Sequence, residues 1–242
     1  MSPLEKTSLL PPSLQTVVSW PAFVRCLPFA VFMLILAMRG ALEGLVDTRW
    51  LYALQAGGAA LALALLAPHY RELSRDLHDP GEPGRVSLSN LLPSIALGLF
   101  IAALWVLRDA SWMRMGGAST SFVPTDDAGE VQIALVAVRL AGACLVVPLM
   151  EELFWRSFLM RWLDRRDFLR FSPREASLFA FVGSSAVFAL AHDRWLAAFI
   201  AGLLFAAIYR HTKQIWQAVS AHATANLTLG VYVVHQRAWN LW

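Results

Sequence analysis

Six polar residues crowd into an apolar part of this chain: Glu151, Glu152 and Arg156 in Met150-Glu-Glu-Leu-Phe-Trp-Arg156, His192 at the end of Phe188-Ala-Leu-Ala-His192, and His222 and Asn226 in His222-Ala-Thr-Ala-Asn226. Glu152 and Arg156, Phe188 and His192, and His222 and Asn226 are each four residues apart, the spacing that stacks side chains on one helix face. Hydrolysis of an amide by water needs a base to activate the water, a group to position it, and donors aimed at the developing oxyanion. One Glu, two His and one Asn supply those roles. Glu151 and Glu152 lie about 100° apart around a helix, whereas Glu152 precedes Arg156 by four residues, the favourable order for an ion pair. Glu152 can therefore neutralise Arg156 and leave Glu151 free to act as a base. Glu151, His192 and His222 are also a donor set able to ligate zinc with one open position, although the His-Glu-x-x-His motif is absent. The competing structural readings are an ion-pair cluster, a span-capping role for His192 ahead of Asp193-Arg194, and an interhelical hydrogen bond for His222.

The elements that must carry these residues are membrane spans. The chain has 242 residues, 57% hydrophobic and 15% charged, with mean hydropathy +0.53, which is too apolar for an ordinary soluble domain of this length. Polar side chains inside such segments are costly and point to function. Apolar windows long enough to cross about 30 Å of hydrocarbon fall near 21–38, 50–67, 91–107, 132–151, 175–192, 195–210 and 214–235. The expected fold is an all-α, polytopic transmembrane helix bundle of about seven spans (six to eight), in which Arg25 weakens the first. Two regions are expected: residues 1–131, a membrane region with about three spans and an acidic loop, and residues 132–242, the core bearing the site. If the fifth span starts at Glu175, His192 lies about 25 Å along it, while His222 lies about 12 Å from Gln214 on the same side. That predicts a mismatch in depth.

The connecting loops set an orientation. Residues 161–174 hold Arg161, Arg165, Arg166, Arg170 and Arg174, which places this loop, and with seven spans the N-terminus, in the cytoplasm. Residues 69–90 read as a polar loop around Asp79-Pro-Gly-Glu-Pro-Gly84, with no room for a packed element, and 109–131 as an acidic, irregular one. No cleaved signal peptide is expected at Met1–Trp20. Cys26 and Cys144 are expected to be buried free thiols. A net charge of +3 spread over short clusters excludes a nucleic-acid partner. Trp50, Trp105, Trp112, Trp195, Trp239 and Trp242 read as interfacial anchors, and Arg139 as a residue that snorkels to the outer interface or pairs with Asp126 or Asp127.

Glu151-Glu152-x-x-x-Arg156, Phe188-x-x-x-His192 and His222-x-x-x-Asn226, in this order, resemble the CAAX-protease and bacteriocin-processing (CPBP, or Abi) family of intramembrane proteases, over roughly residues 132–235. Trp50-Leu-Tyr52, Tyr70-Arg-Glu-Leu73, the run Val147–Arg161, Gly230-Val-Tyr-Val-Val234 and Trp239-Asn-Leu-Trp242 look like its bacterial exosortase-associated subgroup. Here Arg156-Ser157 stands where the family usually has Arg-Gly, a small-for-small change. The resemblance implies a membrane endopeptidase of the bacterial plasma membrane whose partners are the lipid bilayer and a membrane-associated peptide or protein substrate. It implies that Glu151 acts as general base on water with help from His192, that His222 and Asn226 stabilise the oxyanion, and that Glu152, Arg156 and Phe188 support the site. No cofactor is favoured, and a divalent metal such as zinc is the alternative. The rival function is a non-enzymatic membrane adaptor using the same polar cluster for helix packing or partner binding. A transporter would need a second set of aligned polar residues in the first three spans, and none stands out there.

Overall fold

The computed structural model describes residues 20–74, 88–107, 110–115 and 122–242, all helices and connections with no strand among them. Seven principal helices follow the apolar windows: α1 Pro21–Ala37, α2 Leu51–Leu66, α3 Leu88–Leu107, α4 Ile133–Met160, α5 Leu178–Leu190, α6 Trp195–Thr212 and α7 Ile215–Gln236. Three stretches, Leu51–His69, Ile133–Met160 and Trp195–Thr212, are long and apolar enough to cross a membrane. The molecule is an all-α bundle of membrane type. Large apolar side chains such as Leu65, Phe100, Ile133, Leu145 and Phe179 face outward, whereas Arg25, Arg156 and Arg161 are among the largest fully buried ones. This reversal of the soluble pattern suits lipid as the surrounding solvent.

Small residues decide which helices touch. Gly58 lets α2 approach Val31 and Ile35 of α1, and Gly142 of α4 lies so close to Tyr52 and Ala56 of α2 that a Cβ there would stand 2.7–2.8 Å from them. Gly98 seats α3 directly on the Ala221 carbonyl and Thr224 of α7, and the hydroxyl of Ser94 donates to Gln217 across that contact. Gly202 of α6 packs on Ser185 and Phe188 of α5. Such close approach is how helices associate where water supplies no drive.

The composite helix α4 is wound irregularly for a local reason. Pro148 has no N–H and cannot bond the Cys144 carbonyl, and the turns just before it relax to π geometry over Gly142–Val146. There the Val147 N–H reaches the Gly142 carbonyl, one residue beyond its α-helical partner. The carbonyl of Ala143 is thereby released. A second π stretch, Leu153–Met160, carries Arg156, and α-helix Val147–Glu152 between them carries both glutamates.

A buried polar knot closes the end of the bundle next to the arginine-rich loop. Arg25 grips Glu72 through Nε at 2.7 Å and Nη2 at 2.5 Å, the Ser157 hydroxyl donates to Glu72 at 2.6 Å, and Arg161 donates to the Ser157 hydroxyl at 2.8 Å and carbonyl at 2.7 Å. The arginine that weakened the first span is thus paired, and Ser157 is more than a small residue. The knot also corrects the reading of 69–90 as a loop without a packed element: Ala67–His69 and Arg71–Ser74 are helical turns, and Tyr70 is buried with its hydroxyl on the Val24 carbonyl. The Asp79–Gly84 cluster and the Met1–Ser19 part of the N-terminal segment lie outside the described residues. Cys26 and Cys144 are free and only partly buried. In the 109–131 segment, Phe122 is buried and Thr125 pairs with Val131 around a turn at Gly129.

Candidate active site

Glu151 and Glu152 project from the regular turn of α4 between its π stretches, and both are buried. Their partners differ. Glu152, fully buried, takes the Arg156 Nε at 3.1 Å on one oxygen and the His222 Nδ1 at 2.9 Å on the other. Glu151 has no such clamp: its Oε2 stands 4.0 Å from His222 Nε2, and, like the Oε2 of Glu152, it is buried without a hydrogen bond. Glu152 forms the ion pair with Arg156, and Glu151 keeps only the longer contact with His222. The sequence did not reveal that Glu152 holds His222 as well as Arg156.

Both histidines have one nitrogen committed. A carbonyl can only accept, so the 2.8 Å contact of His192 Nδ1 with the Phe188 carbonyl fixes the proton on Nδ1 and leaves Nε2 available. An ionised Glu152 does the same for His222, whose ring stacks on Phe205 at 4.8 Å. Phe188 is the hub between them: its ring lies 4.4 Å from that of His192, 6.4 Å from that of His222, and 4.3 Å beneath the Arg156 guanidinium. Arg156 also donates from Nη2 to the Gly202 carbonyl at 3.4 Å, and its Nη1 is buried without a hydrogen-bond partner.

Asn226 takes the carbonyl that the π turn releases, donating from Nδ2 to Ala143 O at 2.7 Å. Its amide has a second N–H. One donor anchors the side chain to α4, and the other remains for chemistry.

A cavity of about 930 Å³ joins these parts; Glu151, His192 and Asn226 line it together, with Tyr52, Gln55 and Arg139 on its walls. α5 ends at Leu190, and His192, in the bend that follows, lines the same cavity as Glu151. His222 does not line that cavity and lies behind it, its Nε2 4.0 Å from Glu151. Trp105, expected as an interfacial anchor, instead lines the cavity with its ring 6.0 Å from His192, and Trp242 lines the cavity as well. Tyr52 and Gln55 belong to the site and were not singled out for chemistry; Trp50-Leu-Tyr52 was the only signal for either.

Among the described residues no three His, Cys, Asp or Glu side chains cluster closely enough to hold a metal ion. His222 turns Nδ1 to Glu152 and its Nε2 stays 4.0 Å from Glu151. The zinc set Glu151, His192 and His222 is not assembled in this geometry.

Residues 133–228 match the family model described as "Rce1-like: Type II CAAX prenyl endopeptidase Rce1-like". The matched segment contains all six polar residues of the cluster and Phe188. No curated protein and no solved structure shows significant similarity to the chain.

Proposed function

We propose, from the premise that residues 133–228 are a type II CAAX prenyl endopeptidase-like domain, that this membrane protein is an endopeptidase which hydrolyses a peptide bond of a membrane-associated substrate with water activated by Glu151. The observation that carries the reading is the asymmetry of the paired glutamates: Glu152 is ion-paired with Arg156 at 3.1 Å and His222 at 2.9 Å, while Glu151 stands 4.0 Å from His222 and lines a cavity shared with His192 and Asn226. A cluster serving only to lock helices has no use for a carboxylate that lines a large cavity. That disfavours the adaptor reading.

In this mechanism a water in the cavity gives its proton to Glu151 as its oxygen bonds to the scissile carbonyl carbon. His192, with Nδ1–H held by Phe188, accepts from or orients that water through Nε2. The tetrahedral oxygen is stabilised by the second N–H of Asn226 and, when its Nε2 is protonated, by His222, whose charge Glu152 balances. The C–N bond then breaks and Glu151 returns the proton to the leaving amine. The chemistry is general acid–base catalysis by a carboxylate, and no prenyl group is required by the residues that perform it. Membership of the exosortase-associated subgroup in a bacterial plasma membrane is part of the same proposal, supported by the motifs outside 133–228.

The test is cleavage of defined apolar peptides by the purified protein in nanodiscs. Wild type is expected to turn over in the presence of a strong metal chelator, and Glu151→Gln to fall by at least about 100-fold with unchanged melting. A Glu151→Gln protein as active as wild type rejects the mechanism.

A further inference from the structure

The cavity wall formed by α2 carries a polar group that the hydrolytic machinery does not use. Leu51, Tyr52 and Gln55 line the cavity from one face of that helix, and from Ala56 to Leu66 α2 has no polar side chain at all. Gln55 is only 4% exposed. Among the described residues its side-chain amide makes no hydrogen bond, yet neither of its polar atoms is among those sealed away without a partner, so the amide opens on the cavity. The other buried glutamine, Gln217, is engaged with the Ser94 hydroxyl, and Asn226 has one N–H on the Ala143 carbonyl. Gln55 keeps two N–H donors and a carbonyl acceptor. An amide placed in an apolar wall without a protein partner is costly, and the partner it fits is one brought into the cavity.

We propose that Gln55 is a positioning residue that holds the main chain of the peptide substrate, its carbonyl accepting from a substrate N–H and its NH2 donating to a substrate C=O; this rests on the hydrolytic reading above. In an extended chain the N–H and C=O of one residue point to the same side, and a primary amide, with donor and acceptor in one plane, matches both. A neutral group of this kind recognises main chain and leaves the substrate side chains unspecified, whereas an ionised group at this position would select a charge. Gly142 sets α4 against Tyr52 and Ala56, the turn of α2 that bears Gln55. Further along, Met150 of α4 packs in one cluster with Ala59 and Leu63 of α2, so the two helices run in the same direction. From Gly142 to Glu151 α4 rises about 13 Å, which an extended chain covers in about four residues. The substrate main chain is therefore held about four residues from the scissile bond, toward the end of the cavity where α2 begins.

The experiment takes an apolar peptide bound by the Glu151→Gln protein in nanodiscs and replaces its backbone amides by esters one at a time, which removes one N–H donor per peptide. Binding is measured with Glu151→Gln, so that affinity is read without turnover, and again with Gln55→Leu added. One ester, about four residues from the bond that wild type cuts, is expected to weaken binding about tenfold. Gln55→Leu is expected to weaken the all-amide peptide by about the same factor and to erase the penalty of that ester while leaving the others. In turnover with Glu151 intact, Gln55→Leu is expected to raise KM about tenfold with kcat held within about twofold and melting no lower than wild type. If Gln55→Leu fails to fold, Gln55→Met, which is unbranched and of similar length, carries the same comparison. Ester penalties that are identical with and without Gln55, in a protein that cleaves the peptide, overturn the main-chain contact and leave the hydrolase standing. A fall in kcat at unchanged KM assigns Gln55 to the attacking water and also overturns the proposal. A Gln55-dependent ester penalty in binding, with no cleavage by wild type, supports the contact and removes the hydrolase.

Discussion

Adjacent glutamates acquire different duties here because a helix turns about 100° per residue. Glu152 points to Arg156 and His222, and Glu151 to the cavity. Replacing Glu152 by Gln keeps its size but removes the charge that orients His222, so kcat is expected to fall by about 10- to 100-fold with KM little changed, as steady-state kinetics on a cleaved peptide would show. In the proposed mechanism Asn226 is the oxyanion donor, so Asn226→Ala is expected to cost about 100- to 1,000-fold in kcat. It also leaves the Ala143 carbonyl without its 2.7 Å donor, for about 1 kcal/mol of stability, readable in a melting curve. Glu151, Glu152, Arg156, His192, His222 and Asn226 were all legible in the sequence because ionisable groups in apolar spans stand out. Gln55, Tyr52 and Trp105 were not, since a buried glutamine or aromatic carries no such contrast until its neighbours are known.

At the scale of elements, the windows of hydrophobicity located all seven helices, but the winding of α4 was hidden. A π turn has no residue signature of its own; it follows from Pro148 and from the close contact of Gly142 with α2. Pro148→Ala restores an N–H for the Cys144 carbonyl and favours regular winding, which returns the Val147 N–H to Ala143 and evicts Asn226. The expected result is melting equal to or above wild type with kcat lowered by about tenfold or more. A variant that is both less stable and fully active would contradict this role for the π turn. The knot of Arg25, Glu72, Ser157 and Arg161 was invisible for another reason: Arg25 and Glu72 are 47 residues apart, so nothing in local spacing announces the pair. Burial pushes the Glu72 carboxyl up, but the Arg25 guanidinium and the Ser157 hydroxyl outweigh it and hold the group below its usual value of 4.5. A carboxyl lowered in the folded state contributes stability that is fully present above its unfolded value and is lost as pH falls through the folded one. The melting temperature is therefore expected to be insensitive to Glu72 titration above about pH 4.5 and to drop in stronger acid. Glu72→Gln, which leaves Arg25 buried and unpaired, should cost about 3–5 kcal/mol at neutral pH and narrow its gap to wild type as acid is added.

The whole molecule is polarised. The polar knot closes the end beside Arg161–Arg174, and the cavity opens toward the other end, where α1 ends, α2 begins and the bend at His192–Arg194 lies. Combined with the positive-inside rule, this predicts a site entered from the non-cytoplasmic side. In cells lacking the native cysteines, Ala128→Cys should react with an impermeant maleimide added outside and Arg170→Cys should not; the reverse pattern inverts the topology. An orientation can be proposed from the sequence because five arginines fall within residues 161–174, whereas the cavity required Phe29, Tyr52, Glu151, His192 and Asn226 to be drawn from five parts of the chain. In the proposed function Glu151 drives peptide hydrolysis in the membrane. It is tested most directly by quantitative mass spectrometry of membrane peptides from cells carrying wild type or Glu151→Gln at equal expression: at least one substrate should accumulate uncut in the variant while its product disappears, and identical peptide profiles in the two strains would contradict the account.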